Sequence, residues 1–204
     1  MPDHGPNLPS PILATFAGLS GIAGVLLAGG LAFLQAPPAA APTASAPAPA
    51  PCPLRPEGHL RGRFFGGLDM EVDWSGAGMT CDGMRKPDKS GVRLHFSGNQ
   101  PGHGPLELVI GINGDIDGIA GAERPANVTV VDGADGRFFS TAGTGRCWAR
   151  MASAMPQPGQ GARRGGTRLE GLVYCVGALP EVGGQSSLTL GDLYFAGLVS
   201  PDEE

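Results

Sequence analysis

Leu68-Asp69-Met70-Glu71-Val72-Asp73-Trp74 alternates apolar and acidic side chains without a break. Period two marks a strand with one buried face: Leu68, Met70, Val72 and Trp74 turn to a core, and Asp69, Glu71 and Asp73 turn away. The alternation returns at Val92, Leu94 and Phe96, with Arg93 and His95 opposite, and at Leu106, Leu108, Ile110 and Ile112. Further strand-like runs are Asn127 to Val131, Arg137 to Thr141, Cys147 to Met151, Leu169 to Val176, Ser187 to Leu190 and Leu193 to Val199. Turn signals lie between them: Asp82-Gly83, Asn113-Gly114, Asp117-Gly118, Asp132-Gly133, Asp135-Gly136 and Gly183-Gly184. Of the 153 residues after Pro51, 29 are Gly, which opposes long helices. The expected fold class is all-β, a single β-sandwich or barrel-like domain, two architectures this pattern does not separate. Ser153 to Arg168 reads as one mobile glycine, proline and arginine loop.

Upstream, the composition changes twice. Ile12 to Leu34 carries no charge over twenty-three positions. About 20 apolar residues at about 1.5 Å each cross a hydrocarbon core roughly 30 Å thick, so this run predicts one N-terminal transmembrane helix. A cleaved signal peptide would have a basic start and a shorter apolar stretch, whereas the first 54 residues contain no Lys or Arg, so an uncleaved signal anchor is the reading. Proline and alanine dominate Ala36 to Pro51, which predicts a semi-rigid spacer reaching at most roughly 50 Å. The expected organisation is a tail at 1–11, the membrane helix at 12–34, a linker at 35–51 and an extracytoplasmic domain at 52–204. Ser20, Gly24, Ala28 and Ala32 recur every fourth residue and would let a second copy approach as a homodimer. An alanine- and glycine-rich span without a partner is preferred, because such spacing arises easily in this composition.

All fourteen Lys and Arg follow Pro51, beside eighteen of the nineteen Asp and Glu, so the domain carries −4. An acidic domain of this kind is a poor nonspecific nucleic-acid binder and has no electrostatic reason to lie on anionic lipid. Attachment to the membrane rests on the apolar span. Cys52, Cys81, Cys147 and Cys175 form no C-x-x-C pair, which favours disulfides over a structural zinc site. Four cysteines allow three pairings; Cys147 with Cys175 is preferred because both sit in strand-like runs, leaving Cys52 with Cys81. Both flanks of the apolar span lack Lys and Arg, so the charge rule for orientation is silent. Disulfides form in oxidising compartments, and this places the domain outside the cytoplasm.

Candidate chemistry is sparse. Asn113, Asp115 and Asp117, followed by Gly118, resemble the opening of a calcium loop, but Arg124 stands where the bidentate Glu is needed. A tight turn is preferred there. The acidic stripe Asp69, Glu71 and Asp73 is expected to be an ordinary outer face. Arg163, Arg164 and Arg168 sit among glycines, where they would suit an acidic surface polymer or an envelope protein. Of the domain's histidines, His59, His95 and His103, none belongs to a hydrolase motif, and His95 is expected to point to solvent from a strand. Trp148, next to Cys147, is expected to pack over a disulfide as a core residue. No catalytic, cofactor-binding or metal-ligating set is assigned.

Asp73-Trp74, Cys81-Asp82-Gly83-Met84, Arg85-Lys86-Pro87-Asp88, Arg137-Phe138-Phe139-Ser140-Thr141, Cys147-Trp148 and Val173-Tyr174-Cys175 resemble a group of uncharacterised bacterial exported proteins. The resemblance spans roughly Leu60 to Leu198. It implies an exported bacterial setting and carries over no reaction, ligand or cofactor. The function expected is therefore a noncatalytic binding or interaction module, held on the inner membrane by one span with its domain in the periplasm. The alternatives are an extracytoplasmic hydrolase assembled only by folding, with a histidine base, and a calcium-stabilised structural domain.

Overall fold

Strands predicted from period two make up most of the sheet, and three further strands join them. The computed structural model describes residues 51–54, 58–116, 118–141, 143, 145–159 and 165–201, all within the unit Ala46–Glu204. The apolar span, its small-residue seam and the linker before Pro51 lie outside the described residues. Among the described residues no helix is long and apolar enough to cross a membrane. In chain order the strands are β1 (His59–Gly66), β2 (Met70–Ser75), β3 (Met79–Arg85), β4 (Gly91–Gln100), β5 (Gly104–Asn113) and β6 (Glu123–Asp132). They continue as β7 (Arg137–Ser140), β8 (Cys147–Gln157), β9 (Gly166–Cys175), β10 (Leu179–Pro180), β11 (Ser187–Leu190) and β12 (Leu193–Val199).

All belong to one antiparallel sheet. β1 pairs with β2 along one edge. Along its other edge it pairs first with β12 and then with β11. A short 3-10 turn, Gly76–Gly78, carries the chain from β2 into β3. From there the ladders run β3 to β4, β5 and β6, then to β8, β9 and β12. β12 pairs in turn with β1, so the ladders form a circuit that stays open at β3. Where β3 meets no full strand beyond β4, single bonds bridge the gap: Ser200 N donates to Gly83 O at 2.9 Å, and Cys52 N to Met79 O at 3.1 Å.

The apolar halves of the alternating strands line one continuous core. Leu60, Phe64, Val72, Leu94, Phe96, Leu108, Ile110, Phe139 and Phe195 are wholly buried. Each such side chain contributes roughly 1.5–3 kcal/mol on leaving water. Phe96 and Phe195, from opposite parts of the circuit, meet with ring centroids 6.4 Å apart and planes tilted 60°. Trp74 is buried as expected, its indole lying over Gly98, where a Cβ would come within 2.9 Å of the ring. That close approach accounts for a glycine in mid-strand.

One end of the sheet is fastened by a buried carboxylate. Asp132 has a fully buried side chain and accepts hydrogen bonds from Arg137 Nε and Nη2 at 3.1 and 2.8 Å. Its other oxygen meets His103 Nε2 at 2.8 Å and accepts from Ala134 N at 3.1 Å. Arg137 also donates to Gly67 O at 3.0 Å, so one cluster ties the β1–β2, β4–β5 and β6–β7 turns together. Burial alone would raise the Asp132 pKa, but the His103 and Arg137 hydrogen bonds outweigh it and hold the carboxyl below its ordinary range.

The structure corrects three expectations. Asp82-Gly83 is no turn; it lies inside β3, where a Cβ on Gly83 would come within 2.7 Å of Leu198 O and of the Leu94 side chain. Glycine there serves the close passage of the C-terminal segment. Ser153 to Arg168 is not one loop either: β8 runs to Gln157 and β9 starts at Gly166, paired from Ser153↔Glu170 to Gln157↔Gly166. A bulge between Met151 and Ser153 shifts the register and breaks the alternation that would have revealed the strand. Lastly, Trp148 is not in the core. It projects from the outer face and stacks on Tyr174 across the β8–β9 ladder, with centroids 6.0 Å apart.

The four cysteines pair as Cys52–Cys81 and Cys147–Cys175, the pairing favoured by their positions. No free thiol remains.

Candidate functional site

The β3–β4 hairpin forms a concave surface in which several chemistry-bearing residues converge. Its turn runs from Lys86 to Ser90 and is closed by Lys86 N donating to Gly91 O at 2.8 Å. Asp88 Oδ1 accepts from Ser90 N at 3.0 Å, which holds the turn, and the Ser90 hydroxyl, followed by this amide, lowers the carboxyl's pKa. Lys89 takes a left-handed backbone with φ of 57°, the only such non-glycine residue among those described. That conformation costs an L-residue about 1 kcal/mol or more, and here the turn's hydrogen bonds impose it.

Around this hairpin lies a groove of about 910 Å³, walled by Arg85, Lys86, Lys89, Arg93, His95 and Asp82, with Met84 and Pro201 supplying apolar surface. Among the described residues of the lining, four permanent cations thus face one carboxylate. Arg85 lies 3.4 Å from Asp115, and Lys86 donates to Asn113 Oδ1 at 2.6 Å. Lys89 and Arg93 have no ion pair with any described residue within 4 Å, though the field of Arg93 helps to lower the Asp82 pKa.

His95 lies on the outer side of β4, as its alternation with Leu94 and Phe96 predicts, and its side chain, 30% exposed, is held there by two carboxylates. Its ring bridges three strands: Nδ1 lies 3.2 Å from Asp82 on β3, and Nε2 lies 3.1 Å from Glu107 on β5. The Asp82 hydrogen bond, against the cost of burial and with Glu107 helping, raises the imidazole pKa above the ordinary 6.5. The same bond lowers Asp82 below 3.8. This ladder of two carboxylates around one imidazole was hidden from the sequence, because Asp82, His95 and Glu107 are brought together only by strand register.

Other sequence candidates separate. Asn113 and Asp115 stand close to the hairpin, but Lys86 and Arg85 already present positive charge to their oxygens. Asp117 lies outside the described residues, as do Arg163 and Arg164. Arg168 is no loop residue; it sits on β9 with its side chain only 12% exposed, 3.0 Å from Glu170. The acidic stripe meets basic residues of β1: Asp73 pairs with Arg61 at 2.8 Å and Asp69 with Arg63 at 3.2 Å. Neither His95 nor His103 has a hydroxyl among its hydrogen-bond partners, and the thiols are consumed in disulfides. The described residues therefore assemble no nucleophile and base around either histidine.

On the outer face of β8 and β9, Trp148 and Tyr174 stand beside Arg150 and Glu123, which pair at 3.3 Å. A hydrogen bond to Glu123 raises the Tyr174 pKa. No protein-family model matches the chain, and no curated protein or solved structure matches it either.

Proposed function

We propose that the chain is a membrane-tethered, extracytoplasmic β domain that serves the bacterial envelope as a noncatalytic binding or interaction module. On this reading it is a single-pass protein of the inner membrane, its barrel held in the periplasm by the apolar span and the Pro/Ala linker. A barrel, rather than a sandwich, is favoured by Ser200 N donating to Gly83 O at 2.9 Å, which brings the end of β12 against β3 across the open side of the sheet.

The observation that carries the proposal is the pairing of all four cysteines, since a domain with two disulfides and no free thiol suits an oxidising space. The noncatalytic reading rests on two features: His95 and His103 face carboxylates without a nucleophile, and apolar side chains fill the inner face of the sheet. Binding then falls to the outer surface, where the groove around the β3–β4 hairpin offers a concave contact surface.

Protease treatment of intact cells and of spheroplasts, followed by an alkaline carbonate wash, tests this reading. The expected result is a domain degraded only once the outer membrane is opened, with the apolar segment retained in the washed membranes. A full-length protein protected in spheroplasts, or released into the soluble fraction, would contradict it.

A further inference from the structure

We infer that the groove around the β3–β4 hairpin binds a small multivalent oxyanion, a ligand carrying two or more phosphate or carboxylate groups. This inference rests on the proposed binding role and names the ligand class of that same surface.

The chain as a whole carries −5, yet four of its fourteen basic residues gather at one hairpin. Local charge of that sign on an acidic protein draws anions to this place. The cations differ in commitment. Arg85 and Lys86 are positioned by Asp115 and Asn113, which fixes the walls of the groove. Lys89 and Arg93 make no ion pair with the described residues, so their charge is open to a ligand. An Arg fork and a Lys point charge complement each other on an oxyanion: the fork fixes orientation and the ammonium adds attraction from a flexible stem.

Geometry supports the assignment further. Lys89 sits at the hairpin tip in a left-handed conformation that the turn imposes. Residues held in sparsely populated backbone regions cluster at ligand clamps. The groove is much larger than one phosphate, and the one carboxylate among the described lining residues, Asp82, is already bonded to His95. Met84, 54% exposed, gives the ligand's uncharged part an apolar surface.

The test is titration of the full-length protein in detergent with pyrophosphate and with citrate, by calorimetry at low and at physiological salt. Either probe should bind, more weakly as salt rises, and the double variant Lys89→Gln/Arg93→Gln should lose at least about tenfold in affinity while its melting temperature stays unchanged. Arg150→Gln, on β8, should bind as the parent does. Whichever probe binds identifies phosphate or carboxylate as the favoured group. No binding of either probe at millimolar concentration would overturn the inference, as would binding that Lys89→Gln/Arg93→Gln leaves intact. Those failures would leave the tethered-module reading standing, because protease access and membrane retention are measured independently.

Discussion

The two disulfides close loops of nearly equal length, 29 and 28 residues, yet they fasten different kinds of structure. Cys147 and Cys175 are direct partners at the end of the β8–β9 ladder, where backbone hydrogen bonds already hold the strands. Cys52 and Cys81 join the segment that precedes β1 to β3, at the gap in the circuit that single hydrogen bonds bridge. In the chain-entropy account equal loops restrain the unfolded chain equally, so the difference between the bonds lies in the native state. A fastening laid along a ladder duplicates it; one placed where the ladder is missing is the local structure. The ionic clusters repeat the lesson. Asp132 alone joins three turns at one end of the sheet, while His95 with its two carboxylates lies across strands that are already paired.

The largest expected effect comes from the buried ionic tie that joins three turns. Asp132→Asn should lower unfolding free energy by about 3 kcal/mol or more in urea, because it strips Arg137 and His103 of a buried counter-charge. A loss below about 1 kcal/mol would show that the turns are held by other means. Because the folded Asp132 pKa is depressed, its contribution should be complete above 3.8 and vanish as pH falls through the lower folded value. The Asp132→Asn variant should therefore lack part of the parent's acid-induced loss of stability.

Next in size are the disulfides. Removing either pair by alanine substitution should cost about 3–4 kcal/mol, with the two variants within about 1 kcal/mol of each other. Hydrogen exchange sharpens the comparison. Cys52→Ala/Cys81→Ala should lose protection of the Cys52 and Gly58 amides, while Cys147→Ala/Cys175→Ala should keep protection along β8 and β9. Fraying of the β8–β9 ladder in the second variant would break the distinction drawn here.

The smallest effect belongs to His95→Gln, expected to cost less than about 1 kcal/mol because Asp82 and Glu107 are largely solvated. The raised His95 pKa fixes the sign of its pH dependence: the contribution is full below 6.5 and disappears as pH rises through the higher folded value. Urea midpoints of parent and variant should converge toward alkaline pH.

Most of the sheet was legible because one-sided burial writes itself as period two, as at Leu68 to Trp74 and Leu106 to Ile112. β1 escaped because Gly62 replaces an inward side chain and Phe64-Phe65 blurs the alternation. β3 escaped because Asp82-Gly83 imitates a turn, while its glycine answers to Leu198 of a strand more than a hundred residues away. The candidate site was less legible still. Asn113 and Asp115 were noticed for their spacing, but the Lys86 and Arg85 groups that meet them come from another hairpin. Register, not local sequence, brings Asp82, His95 and Glu107 together, and nothing in a linear pattern announces a groove.

The claim on which the account turns is that the domain works oxidised, with the segment before β1 stapled to β3 by Cys52–Cys81. Denaturing the protein straight from native membranes in the presence of a maleimide, then weighing it before and after reduction, counts its thiols directly. The account predicts no label before reduction and four after; four labels before reduction would contradict it.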